Sequence, residues 1–402
     1  MPITYNFDEI IDRRASDSVK WATGAIFNQE DAIPMWVADM DFRSPQPVVD
    51  AMVERARHGV FGYPRRSEVY LQAITGWFER RHGWQIEPGW IEPTPGVVIS
   101  LSLAVLAFTQ PGDKVIVQPP VYFPFFHIVK NNGRQIVENR LKIENGRYVM
   151  DYDALEGQLK DPRVRMLVLC SPHNPVGRVW TAEELRMLGE MCVKHNVVLV
   201  SDEIHCDLVY PGHRHVPTCT LSPEIAQNTV VLASPSKTFN LAGLSSSFAI
   251  IPNPELRRRY TVATDSIHIG GINIFGLLGV EAAYTTGEEW LDQALAYLGC
   301  NLDTLQTFVE QRLPRLKLYR PEGTYLAWLD FNGLGLDPAA LRRMVLKDAG
   351  LGLNDGAAFG AGGEGFQRMN VACRGALLEQ ALAQLEAAVN GLPGGLAQNI
   401  SQ

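Results

Sequence analysis

Three polar residues each follow an apolar run of the chain: Asn174 comes after RMLVLC, Asp202 after VVLVS and Lys237 after TVVLAS. A lysine on a rigid, partly desolvated turn can lose a proton and attack an aldehyde. A carboxylate can keep a ring nitrogen protonated, and an amide can donate to a ring oxygen. Pyridoxal 5'-phosphate needs these three partners, so the ordered trio predicts a site for this cofactor.

Each residue of the trio also has an ordinary explanation when it is taken alone. A loop lysine is usually solvated, an acid after a strand often caps a helix, and Asn before Pro is common in turns. All three follow apolar runs, and this shared position favours one common site over three unrelated structural roles.

The elements that must position the trio lie between residues 97 and 251. Short apolar runs such as KVIVQ and SFAII alternate there with helical stretches such as TAEELRMLGEMCVKH, which is typical of a mainly parallel sheet. Ligands bind at the carboxyl ends of parallel strands, so the trio is expected along one edge of that sheet. After IGGINIFG the pattern changes to mixed helices and strands, which predicts a second, α+β domain.

Composition narrows the class of protein. The chain has 402 residues, 46% of them hydrophobic and 20% charged, and a net charge of -8, which argues against a nucleic-acid surface. Its longest apolar block, VVISLSLAVLAF, is too short to span a bilayer, and the amino terminus has no apolar signal core. The six cysteines form no CxxC pair, which is typical of reduced thiols and predicts a cytoplasmic protein.

With these motifs in place, the chain resembles the fold type I pyridoxal-phosphate enzymes of the class I/II aminotransferase superfamily. It is most similar to the MalY/PatB group of cystathionine beta-lyases and related C-S lyases. The motifs that carry the resemblance are PMWVADMDF, FGYP, TPGVV, PPVYFPFF, LCSPHNPVGRVW, SDEIHCDLVYPG, SPSKTFNLAGL and RMNVAC.

The resemblance implies an α/β fold with two domains. The large one, residues 46–285, is expected to hold a mainly parallel seven-stranded sheet and to bind the cofactor. The smaller α+β domain is expected to combine residues 1–45 with residues 286–402.

For the cofactor phosphate, the resemblance implies the backbone N–H groups of Val97 and Val98. They open a predicted helix, and a helix start attracts anions. The hydroxyls of Ser234 and Ser236 are expected to donate from the other side. Class I aminotransferases commonly carry an arginine eight residues after the lysine, where this chain has Ser245, a departure that suits the lyase branch.

For the cofactor ring, the resemblance implies that Tyr122 stacks on it, while Asn174 and Asp202 bind its oxygen and nitrogen. His205 stands where many relatives place a tyrosine that donates to the ring oxygen. Two alternatives stay open from the residues themselves: Tyr122 as a member of an aromatic core cluster, and His205 as a structural histidine.

For the substrate, the resemblance assigns the α-carboxylate to Arg368, with Asn174 and Ala38 of VADMDF beside it. Arg368 could otherwise be a solvated arginine, and no role is carried onto Arg374. Tyr63 of FGYP is implied to reach the phosphate of a partner subunit, which predicts a homodimer with a shared active site. As a residue before proline it could equally belong to a plain turn.

Three other patterns are set aside. GAGGEG at 360–365 fits GxGxxG but precedes a predicted strand. Ser234 to Lys237 spells S-x-x-K without the partner motifs of acyl hydrolases. The cluster of histidines and cysteine at 205, 213, 215 and 219 fits no standard zinc spacing, so no metal is expected.

The predicted reaction is β-elimination from cystathionine or another cysteine S-conjugate, giving a thiol, pyruvate and ammonia. Lys237 would act as the base that removes the α-proton. One alternative is an aminotransferase acting on an amino acid and a 2-keto acid, because both reactions share their early steps. The other alternative belongs to a different class, a regulatory binding protein.

Overall fold

Strands form where β-branched and other apolar residues run together. A computed structural model describes residues 3–269 and 273–392 of the chain. Within this part the strands are β1 Ile33–Pro34, β2 Ile91–Thr94, β3 Lys114–Val117, β4 Gln135–Glu138, β5 Lys142–Glu144, β6 Arg147–Val149, β7 Val164–Cys170, β8 Val198–Asp202, β9 Thr229–Ala233, β10 Ser247–Ile250, β11 Lys317–Tyr319, β12 Leu326–Asp330, β13 Leu351–Gly352, β14 Asn354–Asp355 and β15 Phe366–Asn370.

Helices occupy much of the remaining chain. They are α1 Thr23–Phe27, α2 Gln46–His58, α3 Glu68–His82, α4 Val97–Phe108, α5 Pro124–Asn131, α6 Tyr152–Leu159, α7 Ala182–Lys194, α8 Pro223–Gln227, α9 Pro254–Ser266, α10 Ile274–Thr286, α11 Glu288–Arg312, α12 Pro338–Arg343 and α13 Gly375–Asn390. The TAEEL motif starts α7 through a capping box, in which Thr181 and Glu184 each accept from the other's backbone N–H.

The seven-stranded sheet has the order β2-β10-β9-β8-β7-β3-β4. Strand β10 is antiparallel to both of its neighbours, and all the other pairs are parallel. This confirms the predicted mainly parallel sheet of an α/β fold.

The central strands are buried because both faces of the sheet are covered. Side chains alternate along a strand, so Val198 and Val200 pack on one face, against α4 and α9, while Leu199 packs on the other, against α6 and α7. Runs such as VVLVS are apolar at successive positions for this reason. Because β7, β8 and β9 are paired in parallel, their carboxyl ends lie side by side.

A second sheet, with the order β11-β12-β15-β14, is antiparallel. The short parallel pair of β1 with β13 joins the amino-terminal segment to this part of the chain. Further along, the Asn370 N–H donates to the Met35 carbonyl and the Asp41 N–H to the Ala372 carbonyl. Residues 33–41 therefore lie against the carboxyl-terminal sheet, although the two are far apart in sequence.

The division into a large domain, 46–285, and a small domain of 1–45 with 286–402 stays a prediction. Residues 1–2, 270–272 and 393–402 of these ranges lie outside the described residues. Over the ranges that are described, no helix combines the length and apolarity needed to cross a membrane.

Candidate active site

A cavity of about 160 Å³ lies at the carboxyl ends of β7, β8 and β9. The strands deliver their side chains there because parallel strands end along one edge of the sheet. The cavity brings together most of the residues expected at the site: Ala38, Val97, Val98, Tyr122, Asn174, Asp202, His205, Ser236 and Lys237. Their individual roles stay predictions.

Lys237 lies on the turn after β9, and its Nζ donates to the Ala38 carbonyl at 2.6 Å. Burial lowers the pKa of Lys237 to about 8, and the nearby Arg368 charge acts in the same direction. Asp39 and Asp202 oppose the shift by favouring the ammonium form. An amine with this pKa is neutral in a useful fraction of molecules near neutrality, as a nucleophile or base requires.

Asp202 ends β8 and is buried. Burial raises the pKa of its carboxyl to about 7, although the Ile204 N–H, which donates to Oδ1 at 3.1 Å, and the Lys237 charge both favour the carboxylate. A cation placed beside the carboxyl would stabilise its ionised form further. This environment suits a partner that is itself cationic, such as a protonated ring nitrogen.

His205 lies one turn after Asp202 and also lines the cavity. Burial and the charges of Lys237 and Arg368 lower its pKa to about 3, so the imidazole is neutral. Its Nδ1 has no hydrogen-bond partner among the described side and main chains. A neutral imidazole with an unused nitrogen is suited to a polar ligand atom, so the geometry fits the expected contact to a ring oxygen.

Tyr122 both lines the cavity and contacts other aromatic rings. Its ring lies 5.4 Å from that of Phe123 and 5.8 Å from that of Phe125, centroid to centroid. The two sequence interpretations are therefore compatible, since the ring can belong to the aromatic cluster and still present a face to the cavity. Burial raises the pKa of Tyr122, so its hydroxyl stays protonated.

The start of α4 forms the expected anion-binding end. The first helical hydrogen bond runs from the Ser100 N–H to the Gly96 carbonyl at 2.9 Å, so the N–H groups of Val97 and Val98 lie before the helical ladder begins. Both residues line the cavity. Free N–H groups and the positive end of the helix dipole favour a phosphate at this point.

Ser234 is placed differently from the sequence expectation. Its hydroxyl donates to the Ser246 carbonyl at 2.7 Å and accepts from the Ser236 N–H, so it holds the turn together and does not line the cavity. Ser245 and Ser246 line it instead, and the buried Ser246 Oγ has no partner among the described atoms. The sequence contained a signal for this, because a run of three serines, 245–247, begins at the position where class I aminotransferases commonly carry an arginine.

Arg368 lies on β15, buried behind Asn174, and does not itself line the cavity. Its Nη1 donates to Asn174 Oδ1 at 2.9 Å, which connects the antiparallel sheet to the cavity wall. Burial lowers the pKa of Arg368 to about 10, so the side chain remains a cation near neutrality. The solvated-arginine alternative is wrong.

Tyr63 is fully exposed and lies outside the cavity of its own chain. Its neighbours Val60 and Phe61 are also exposed. The expected contact with a partner subunit's phosphate therefore stays a prediction.

The histidine and cysteine cluster set aside above is divided between two places. His205 lines the cavity, whereas His215 is bonded through Nε2 to Glu203 at 2.9 Å.

A buried group that the sequence did not suggest contains Asp207, which accepts from Trp77 Nε1 at 3.0 Å, His82 Nε2 at 2.8 Å and Thr238 Oγ1 at 2.8 Å. Cys206 lies close to this group, but the carboxylate of Asp207 is already engaged by its three partners. Thr238 directly follows Lys237, so its hydrogen bond to Asp207 helps to fix the turn that carries the lysine.

The cavity fits the predicted cofactor in its donor set. A buried acid, a neutral imidazole with a free nitrogen, a hydroxyl without a partner, a helix start and a lysine of lowered pKa surround one space. The acid matches a cationic ring nitrogen and the imidazole a ring oxygen. The helix start and the hydroxyl match a phosphate, and the lysine matches an aldehyde.

Comparison with known proteins agrees with this arrangement. Residues 30–385 match the family model "Aminotransferase class I and II". The chain is 46% identical to cystathionine beta-lyase PatB of Bacillus subtilis (strain 168) over 96% of its own length and 100% of PatB. It is 31% identical to protein MalY of Escherichia coli (strain K12), over 96% and 100% of the two chains.

The crystal structure of cystalysin from Treponema denticola superposes with a TM-score of 0.94 at 36% identity, covering 97% of this chain and 100% of cystalysin. The match over nearly the whole length confirms the predicted fold and the resemblance read from the motifs. The chain thus belongs to the class I and II aminotransferase family, together with PatB and MalY.

Proposed function

We propose that the protein is a pyridoxal-phosphate-dependent C-S β-lyase that cleaves cystathionine or a related cysteine S-conjugate to a thiol, pyruvate and ammonia. The observation that carries the proposal is the full-length similarity to PatB, whose name is cystathionine beta-lyase. The cavity adds support, because it places an amine of lowered pKa beside a buried carboxyl.

Pyridoxal 5'-phosphate is the cofactor, as in the structure of cystalysin, which contains it. When bound, it withdraws electrons from the substrate α-carbon and so makes the α-proton acidic. Lys237 would bond to its aldehyde and Asp202 would keep its ring nitrogen protonated. Tyr122 would lie against the ring, and the start of α4 with Ser236 would hold the phosphate.

The protein's own groups then move one proton. Arg368 and Asn174 would orient the substrate carboxylate. Lys237 Nζ, once free in the cavity, would remove the α-proton as general base. The carbon-sulfur bond breaks, and the proton held by Lys237 can pass to the departing thiolate.

The test is incubation of the purified, cofactor-loaded protein with L-cystathionine in the absence of any 2-keto acid. We expect pyruvate and free thiol in equal amounts, over many turnovers, because elimination needs only water as co-reactant. Product that appears only after a 2-keto acid is added would contradict lyase function.

Transamination is the second candidate, favoured by the family model's description. It shares the substrate-binding groups and the proton abstraction by Lys237 with elimination. The two reactions differ in where the proton is returned, and so the same assay, repeated with and without 2-oxoglutarate, separates them. No arrangement of the described residues favours the regulatory alternative.

We further propose a homodimer in which Tyr63 contributes to the partner's active site. The exposed apolar side chains of Val60 and Phe61 next to Tyr63 support this, since such neighbours on a surface are typical of an interface. The free state of all six cysteines supports a cytoplasmic location. We also propose the division into a large domain, residues 46–285, and a small domain that combines residues 1–45 with residues 286–402.

Mixing two variants tests the shared site. Tyr63→Ala should load cofactor poorly and Lys237→Ala should not turn over, yet a hybrid dimer of the two has one intact site. Random exchange of subunits should then restore about a quarter of wild-type activity at limiting cofactor. Activity no higher than that of the separate variants, with subunit exchange demonstrated, would contradict the shared site.

A further inference from the structure

The guanidinium of Arg368 is held from several sides. Its Nη1 donates to Asn174 Oδ1, and its Nη2 donates both to the Trp36 carbonyl at 2.7 Å and to Asn354 Oδ1 at 2.6 Å. The buried Nε has no partner among the described atoms. Asn354 was not suggested by any motif of the sequence.

This arrangement limits how a carboxylate can bind. A bidentate carboxylate uses two neighbouring N–H bonds on one edge of the guanidinium, and both such edges include the same Nη2. The two hydrogens of Nη2 are already donated, to Trp36 and to Asn354. A bidentate carboxylate must therefore take the place of one of these two oxygens.

The two oxygens are anchored differently. Asn354 lies on β14 directly opposite Arg368 on β15, in a registered antiparallel pair. The Trp36 carbonyl belongs to an irregular segment between β1 and α2. Trp36 lies two residues before Ala38, which lines the cavity, whereas Asn354 does not line it, so a carboxylate in the cavity is expected on the Trp36 side of the guanidinium.

We propose that Asn354 is a positioning residue for substrate recognition, and that the α-carboxylate takes the place of the Trp36 carbonyl on Nη2. Asn354 keeps the guanidinium plane aligned with the cavity by accepting from one Nη2 hydrogen, while Asn174 accepts from Nη1. The inference rests on the proposed role of Arg368 as the carboxylate ligand.

Binding of two matched ligands to the cofactor-loaded protein tests the inference. L-Alanine has an amine and a carboxylate but no leaving group, and ethylamine is the same skeleton without the carboxylate. Both are titrated against the visible absorption of the cofactor. In Asn354→Ala we expect the dissociation constant of L-alanine to rise about 10-fold, the usual loss for a hydrogen bond to a charged group. That of ethylamine should stay within about twofold of wild type.

Charge gives a second, directional readout. Asn354→Asp places a competing carboxylate on Nη2, so it should weaken L-alanine more than Asn354→Ala does, again without affecting ethylamine. In turnover, KM for L-cystathionine should rise while kcat changes little. Asn354→Ser, whose hydroxyl is one bond too short to reach Nη2, serves if the alanine variant folds poorly. Asn131→Asp on the exposed end of α5 is the control for the added charge.

The outcomes separate this inference from the proposals it depends on. Unchanged L-alanine binding in both Asn354→Ala and Asn354→Ser, or equal weakening of the two ligands, overturns the role of Asn354. If Arg368→Lys also weakens L-alanine no more than it weakens ethylamine, the carboxylate role of Arg368 falls as well. If the protein proves not to be a lyase, but Asn354→Ala still weakens L-alanine and not ethylamine, the role of Asn354 stands.

Discussion

Lys237→Ala is expected to lower pyruvate formation from L-cystathionine by about 10⁴-fold or more, since it removes both the proposed cofactor attachment point and the proposed general base. The loss follows from the position of Nζ in the cavity, where burial lowers the pKa of the amine to about 8. The measurement is steady-state kinetics, with mass spectrometry of the borohydride-reduced protein to locate the cofactor adduct.

Two variants give this result its meaning. Lys237→Arg keeps a cation at the same place, but a guanidinium does not lose its proton, so it should be as inactive as alanine. Lys130→Ala removes an exposed lysine at the end of α5 and should leave activity unchanged. Turnover close to wild type in Lys237→Ala, or an adduct on another lysine, would refute the assignment.

Asp202→Asn should lower kcat by about 1000-fold, the effect typical of removing a preorganised charge from a buried site. The amide has the same shape as the carboxylate but cannot balance a protonated ring nitrogen. Asp31→Asn, at an exposed position, is the control. A variant that binds the cofactor and keeps a tenth or more of wild-type kcat would rule out this role for Asp202.

The same substitution has a consequence for stability without cofactor. The pKa of Asp202 is raised from 3.8 to about 7, so the folded protein binds this proton more tightly than the unfolded chain. The stability that the protonated carboxyl provides is present at low pH and is lost as pH rises from about 4 to about 7. In cofactor-free Asp202→Asn this part of the pH dependence should disappear, as thermal unfolding at several pH values would show.

The parallel sheet and the positions of Asn174, Asp202 and Lys237 around one cavity could be predicted from local signals. Apolar runs such as VVLVS are typical of the buried strands of a parallel sheet, and the residues at or just after the end of each run lie along one edge of that sheet. Asp202 and Lys237 follow from this rule alone. Arg368 and Tyr122 needed the family resemblance, because an isolated arginine or an aromatic cluster has no local signature of binding.

Contacts between distant parts of the chain could not be obtained in that way. The Ala38 carbonyl meets Lys237 across 199 positions, and Arg368 meets Asn174 across 194. Ser246 lines the cavity and the Ser234 hydroxyl donates within the turn because of the conformation that the turn adopts. Periodicity reports only whether a residue faces a core, so the strands and their end residues are encoded locally, while the partners of Arg368 arise when two sheets pack together.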